Sequence, residues 1–246
     1  MNSKFPRIRA MGERAILIEF EPEISENTLE KVLFYKNKIE NHYFKVKVEV
    51  INTYNSLLVY YLYTIENVYD EVSALKGLFQ GTKIAKKTIV QLYNIPVCYD
   101  AEFGLDLKLI SRENNLFTDQ IIRLHTQPIY TVYFIGFLPG FLYLGGLDKK
   151  LQISRKIQPR MEVQKGAVGI GENQTGIYPK TSPGGWQIIG NSPVPLFDKN
   201  RLPPSEISAG DKVKFYQVSK SEYLKISVEI KEGRFQFKKG DYEGGN

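Results

Sequence analysis

The sequence predicts an α+β fold: an N-terminal split βαβ, or ferredoxin-like, domain followed by an all-β barrel or sandwich. Three observations predict it. Two early segments carry apolar residues at helical three-four spacing, residues 45–50 alternate strictly between apolar and charged, and beyond Pro128 short strand-like runs are separated by Gly/Pro turns.

Residues 14–20 (RAILIEF) make a short apolar run suited to a buried strand. Ser25 can cap a helix whose inward face takes Leu29, Val32, Leu33, the stem of Lys36 and Ile39. Val46, Val48 and Val50 alternate with Lys45, Lys47 and Glu49, as in a half-buried strand. Asn52–Asn55 turns the chain, and SLLVYYLY (56–63) forms the next strand. A second helix carries Val68, Val72, Leu75 and Phe79 on one face, with Gly81 as its C-terminal cap. TIVQLYNIPV (88–97) returns as a strand and completes the order β-α-β-β-α-β. The boundaries are set at 1–87 for the first domain and 88–240 for the second.

Two short helices follow near Leu105–Arg112 and Thr118–Thr126. His125, in the last turn of the second, either complements the helix dipole or faces a site. The strands of the second domain are IYTVYFIGF, AVGIG, GIYP, WQIIG, KVKFYQV and RFQF, and the tail GDYEGGN is expected to fray.

Composition is ordinary for a globular chain of 246 residues, at 42% hydrophobic and 24% charged. The formal charge of +6 is spread, with 13 Lys+Arg against 11 Asp+Glu in residues 1–90 and 20 against 16 thereafter. No domain is basic enough to suggest nucleic acid. Cys98 is the sole cysteine, which excludes an internal disulfide and cysteine-based zinc sites, and His42 and His125 form no metal-binding pattern. No run approaches a membrane span, no signal peptide is visible, and a cytoplasmic protein is expected.

The stretch from Tyr133 to Phe197 concentrates glycine beside aromatic and proline residues. Either these glycines make tight turns and bulges, or the backbone closely approaches a ligand. Phe137, Pro139, Gly140, Tyr143 and His125 are candidate pocket walls. Arg155 and Arg160 are candidate anion ligands, since a guanidinium matches carboxylate or phosphate, and Gly169–Gly171 and Ser182–Gly185 could add an anion nest of backbone N–H groups. Gln174, Thr175 and Ser182 can orient a polar substrate, with Gly184 and Gly185 in the same loops. Tyr178 and Trp186 either stack on a flat group or fill the barrel. No phosphate loop, HExxH, nucleophile elbow or kinase signature is present, and no catalytic residue can be named.

The motif GFLPGFLYLGGL (136–147), the PR at 159–160, GAVGIGENQTGIYP (166–179) and SPGGWQIIG (182–190) resemble the allophanate hydrolase subunit 1 family, which includes the B subunit of bacterial 5-oxoprolinase and the kinase inhibitor KipI. VCYDAEFGLDL (97–107), AGDKVKFY (209–216) and NTYNSLLVYY extend the likeness over nearly the whole chain. The chain departs from the family pattern at Ser154, Lys156, Ala167 and Asn191, which leaves Arg155 and Arg160 as the anion ligands. The resemblance implies a cyclophilin-like β-barrel for the second domain. It also implies a heteromeric enzyme with A and C subunits that opens 5-oxo-L-proline to L-glutamate using ATP, a divalent metal accompanying the nucleotide, and a chain inactive alone. The alternative it implies is an inhibitor that binds a sensor histidine kinase.

Overall fold

The structure, a computed structural model, describes residues 6–46, 48–80 and 89–243. Helix and strand follow from the periodicities above. Helix α1 (Glu26–His42) starts where Ser25, in extended backbone, accepts the amide of Thr28, and it buries Leu29, Val32, Tyr35 and Ile39. Leu33 and Lys36 are only half-buried, so the buried stripe runs through Tyr35 instead. Helix α2 (Val68–Phe79) is capped by Asn67, which accepts the amides of Tyr69 and Asp70. The expected cap at Gly81 lies outside the described residues.

The chain divides into two units, residues 1–88 and 89–246. In the first, strands β1 (Arg7–Ala10), β2 (Ala15–Glu19), β3 (Val48–Asn52) and β4 (Ser56–Tyr61) form an antiparallel sheet in the order β1-β2-β4-β3. Along β4, Leu57, Val59 and Tyr61 point into a core shared with α1 and α2. Val46, expected on the inward face of the third strand, precedes it and is exposed.

The strand at Ile89–Val97, β5, departs from the expected order. It does not return to the first sheet but joins the second unit, and the edge beside β2 is taken by β1, whose short run carries no strand signal in the sequence. The reason is packing: Tyr93, Ile95 and Val97 bury themselves in the second core.

That second unit contains α3 (Leu107–Glu113), α4 (Thr118–Thr126), β6 (Tyr130–Ile135), β7 (Leu142–Gly145), a 3₁₀ turn at Lys149–Leu151, β8 (Arg160–Val163), β9 (Ala167–Gly171), β10 (Gln174–Ile177), β11 (Ser182–Gly184), β12 (Gln187–Asn191), β13 (Lys212–Gln217), α5 (Lys220–Lys231) and β14 (Lys238–Glu243). Eight strands make one sheet in the order β12-β9-β10-β7-β6-β13-β5-β14, and β8 pairs with β11 as a separate ribbon. The expected barrel is not closed. β12 meets the end of β5 at one bridge, where Cys98 and Asn191 exchange N–H···O bonds of 2.9 Å each, while β14 occupies the outer edge of β5.

Two segments near the C-terminus also differ from expectation. RFQF (234–237) is not a strand: the amides of Arg234 and Phe235 bond the Glu229 carbonyl at the end of α5, and Phe237 packs edge-on to Tyr93 at 5.6 Å. The tail expected to fray instead pairs with β5 through Glu243. Among the described residues no helix is long and apolar enough to cross a membrane.

Candidate functional site

The site is built around Asp106, which precedes α3. Its side chain is 5% exposed and receives Arg160 in a two-pronged contact, Nη1 to Oδ2 at 2.8 Å and Nη2 to Oδ1 at 2.7 Å. Lys156 Nζ donates to Oδ1 at 3.2 Å, and the Ile188 amide donates to Oδ2 at 2.6 Å. Burial pushes the Asp106 carboxyl up, but the bonds from Arg160 and Ile188 and the positive charges of Arg160 and Lys156 outweigh it and hold the group below its usual value. Asp106 is therefore an ionised acceptor with its valences filled.

Gln187 continues the network. Its Nε2 donates to the Ser154 carbonyl at 3.0 Å, its Oε1 accepts from Lys156 Nζ at 3.4 Å, and the Lys156 amide bonds the Gly185 carbonyl at 2.7 Å. The segment leading from Ser154 to Arg160 is thus held at several points. Beside it runs an open groove of about 660 Å³ lined by Leu109, Glu113, Ile153, Ser154, Arg155, Lys156, Ile157, Gln158 and Gln187. Arg155 is the cation most available there: half-exposed, 3.7 Å from Glu172, with its guanidinium 5.7 Å from the ring centre of Trp186.

Arg160 lies elsewhere. It lines a second depression of about 300 Å³ with Glu102, Phe103, Lys165, Asn191 and Tyr223 among others. The two arginines that the sequence grouped as anion ligands line separate hollows, and Arg160 already binds a carboxylate of its own chain.

Trp186 and Tyr178 fill a core. They are 5% and 2% exposed, and each meets Phe141 edge-on, at 5.4 and 5.2 Å. Trp186 also explains much of the glycine. A Cβ at Gly171 would sit 2.6 Å from the indole Nε1, and one at Gly176 would sit 3.0 Å from Cζ3 and 2.6 Å from the Leu142 carbonyl. The thing these backbones approach is a side chain of the same protein. Gly184 likewise lies against the Tyr178 ring.

The remaining candidates divide. Phe137 is 60% exposed, 6.4 Å from the Tyr178 ring, with Pro139 exposed and Gly140 packed against Phe197. Tyr143 stacks on Phe134 at 4.2 Å and lies 6.0 Å from Trp186. Ser182 is half-buried and bonds the Pro183 carbonyl at 3.2 Å. Gln174 is buried, its Oε1 without a partner.

His125 lines neither of these two hollows. It is fully buried, stacked on Phe215 at 4.6 Å, with Nδ1 2.7 Å from the Tyr99 hydroxyl and Nε2 2.9 Å from Thr175 Oγ1. Thr175 donates its proton to the Gly169 carbonyl at 3.0 Å, so Nε2–H donates to Thr175 and Nδ1 accepts from Tyr99. Burial drives its pKa down to about 3, so it carries no charge with which to answer the helix dipole.

The expected anion nest at Gly169–Gly171 is also absent, since β9 is paired on both sides, with β10 and β12. Asp106, Lys156 and Gln187 form a unit that sequence reasoning does not reach. The available signal is a lone acid between Leu105 and Leu107. No cluster of three potential metal ligands occurs among the described residues.

This architecture is that of a carboxyltransferase-type module: residues 6–207 match the family described as carboxyltransferase domain, subdomain C and D, and the chain belongs to that family. Within it, the chain is 37% identical over 229 residues to the 5-oxoprolinase B subunit of Bacillus subtilis (strain 168), covering 88% of this chain and 95% of that protein. The crystal structure of TTHA0988 superposes with a TM-score of 0.72 at 29% identity, over 84% of this chain and 40% of that one. The K. lactis urea amidolyase structure shares the fold, with a TM-score of 0.80 at 21% identity over 96% of this chain and 16% of that one. The chain thus spans less than half of either solved structure.

Proposed function

We propose that the chain is the B subunit of a heteromeric, ATP-dependent 5-oxoprolinase that opens 5-oxo-L-proline to L-glutamate together with A and C counterparts. The observation that carries this reading is the 37% identity to a 5-oxoprolinase B subunit over 95% of its length. We further assign residues 1–87 to a ferredoxin-like domain, with β1 standing in for the fourth strand, and 88–240 to a cyclophilin-like barrel left open at the Cys98–Asn191 bridge. The reading places the protein in the cytoplasm.

The groove beside Arg155 is the proposed substrate site. A five-membered lactam bearing a carboxylate needs a cation to anchor its charge, and Arg155 offers one whose guanidinium lies over the Trp186 ring. Gln187, fixed by Ser154 and Lys156, sets the position of the groove wall. The role of Asp106 is to keep Lys156 and Arg160 in place.

A nucleotide does not fit the described residues equally well. Its phosphates need several free N–H groups, and those of Gly169–Gly171 lie within a strand paired on both edges. We therefore place ATP and its divalent metal on a partner subunit, together with activation of the lactam. No acid-base pair stands free in the groove, in keeping with a chain that is inactive alone. The test is glutamate release from 5-oxoproline by the chain co-expressed with A and C counterparts. Absence of ATP-dependent release from an assembled complex would overturn the reading.

A further inference from the structure

Ile157 stands entirely in solvent, at 100% exposure, and Met161, four residues on, is 83% exposed. The residues just before each of them, Lys156 and Arg160, both reach back to the same buried carboxylate of Asp106. The Lys156 amide is also bonded to Gly185, and Arg160 opens β8, whose register pairs it with Gly184. A free loop would turn its apolar side chains against the protein. This one is stapled at 156 and 160, and it holds two apolar side chains outward with no return within the chain. Rigidly presented apolar anchors beside a polar network are the makings of an interface hot spot.

We propose that the segment Arg155–Met161 is the docking surface for the partner subunit that completes the groove, and that the partner meets it with an apolar pocket rimmed by acidic side chains. This deepens, and rests on, the reading of the chain as a 5-oxoprolinase component. Charge argues for the acidic rim: Arg155, Lys156, Arg160 and Lys165 stand against Glu162 on this segment and its continuation, and the carboxylates of Asp106 and of Glu172, which pairs loosely with Arg155 at 3.7 Å, still leave a positive excess. Position argues for a polypeptide that closes the site, because Ile157 lines the same open groove as Arg155. A partner seated on Ile157 would cover Arg155 and shield the groove from water. The matching region of TTHA0988 and of the urea amidolyase is likewise part of a much longer chain.

The experiment is titration of the full-length chain with the purified C counterpart, in parallel with Ile157→Asp, Met161→Asp and Leu202→Asp. Leu202 is 99% exposed and outside the segment, and serves as the control. Ile157→Asp and Met161→Asp should each weaken binding by about tenfold or more, while Leu202→Asp binds as the unaltered chain does. Equal binding by all four proteins would overturn the docking surface and leave the 5-oxoprolinase reading intact. No binding by the unaltered chain to either an A or a C counterpart would overturn both. Light scattering on the chain alone provides the remaining outcome: a dimer dissociated by Ile157→Asp would make the occupant a second copy and refute a partner subunit.

Discussion

Arg160 and Asp106 satisfy each other through two charge-assisted hydrogen bonds of 2.8 and 2.7 Å. An arginine whose sequence context suggests a substrate ligand thus has its guanidinium engaged by a carboxylate of its own chain. Its removal would leave a carboxylate that is 5% exposed with only Lys156 and the Ile188 amide. Arg160→Ala should lower the unfolding free energy of this unit by about 1.5–3 kcal/mol. Combined with Asp106→Asn the losses should fall short of additive, and urea unfolding of the two single variants and the double variant measures this. Additive losses would show that the contact carries no coupling.

Arg155 presents the opposite case. Its side chain is 48% exposed and its ion pair with Glu172 is long, so Arg155→Ala should leave the thermal midpoint close to that of the unaltered chain. Affinity of the assembled complex for 5-oxoproline should fall by about 1.5–3 kcal/mol, roughly tenfold or more. Calorimetric titration decides it. A lowered midpoint with unchanged affinity would return Arg155 to a structural role.

His125 makes stability depend on pH. Its folded pKa is lowered to about 3, against about 6.5 for an unfolded histidine, so between these values the unfolded chain takes up a proton that the folded chain refuses. Stability is present above about pH 6.5 and is lost as pH falls toward 3. Asp106, also lowered on folding, adds to the loss only below its unfolded value of about 3.9. Glu222 is lowered as well, by its bonds from Ser219, and adds to the loss only as pH nears its unfolded value of about 4.3. Unfolding midpoints at about pH 6.5 and 5.5 therefore separate the histidine from both carboxylates, and His125→Gln should flatten the difference between them. An unchanged slope in that variant would assign the dependence to other groups.

Gly171 and Trp186 are fitted to each other. Gly171→Ala sets a methyl group 2.6 Å from the indole Nε1 and should destabilise the second unit by about 1–3 kcal/mol. Trp186→Phe in the same background should recover part of that loss. Unfolding of the pair of variants tests the fit, and full stability of Gly171→Ala alone would contradict it.

The sequence is most legible where one period governs one element. The strand read at 56–63 and the cap at Ser25 both reappear in the structure, the strand as Ser56–Tyr61 with Leu57, Val59 and Tyr61 buried. It is less legible where an element's partner matters: the apolar run of β5 reads as a strand in any sheet, and only the burial of Tyr93, Ile95 and Val97 shows which core receives it. Helix α5 escapes the sequence reading although Ser219 and Glu222 form a capping box, a short-range signal that its exposed, weakly patterned face obscures.

The site shows the same limit. Aromatic and glycine residues group together because they lie together in sequence. Whether a glycine makes room for a ligand or for Trp186 depends on side-chain packing that spacing does not encode. Asp106 and Arg160, 54 residues apart, meet only through the fold.

The central claim is that this chain is one part of a 5-oxoprolinase whose site is completed by others. The most direct measurement is ATP-dependent glutamate formation from 5-oxoproline by the purified chain mixed with A and C counterparts, with each component omitted in turn. The account predicts turnover in the full mixture and none when this chain is left out or supplied alone. Full turnover by the isolated chain, or undiminished turnover without it, would contradict the account.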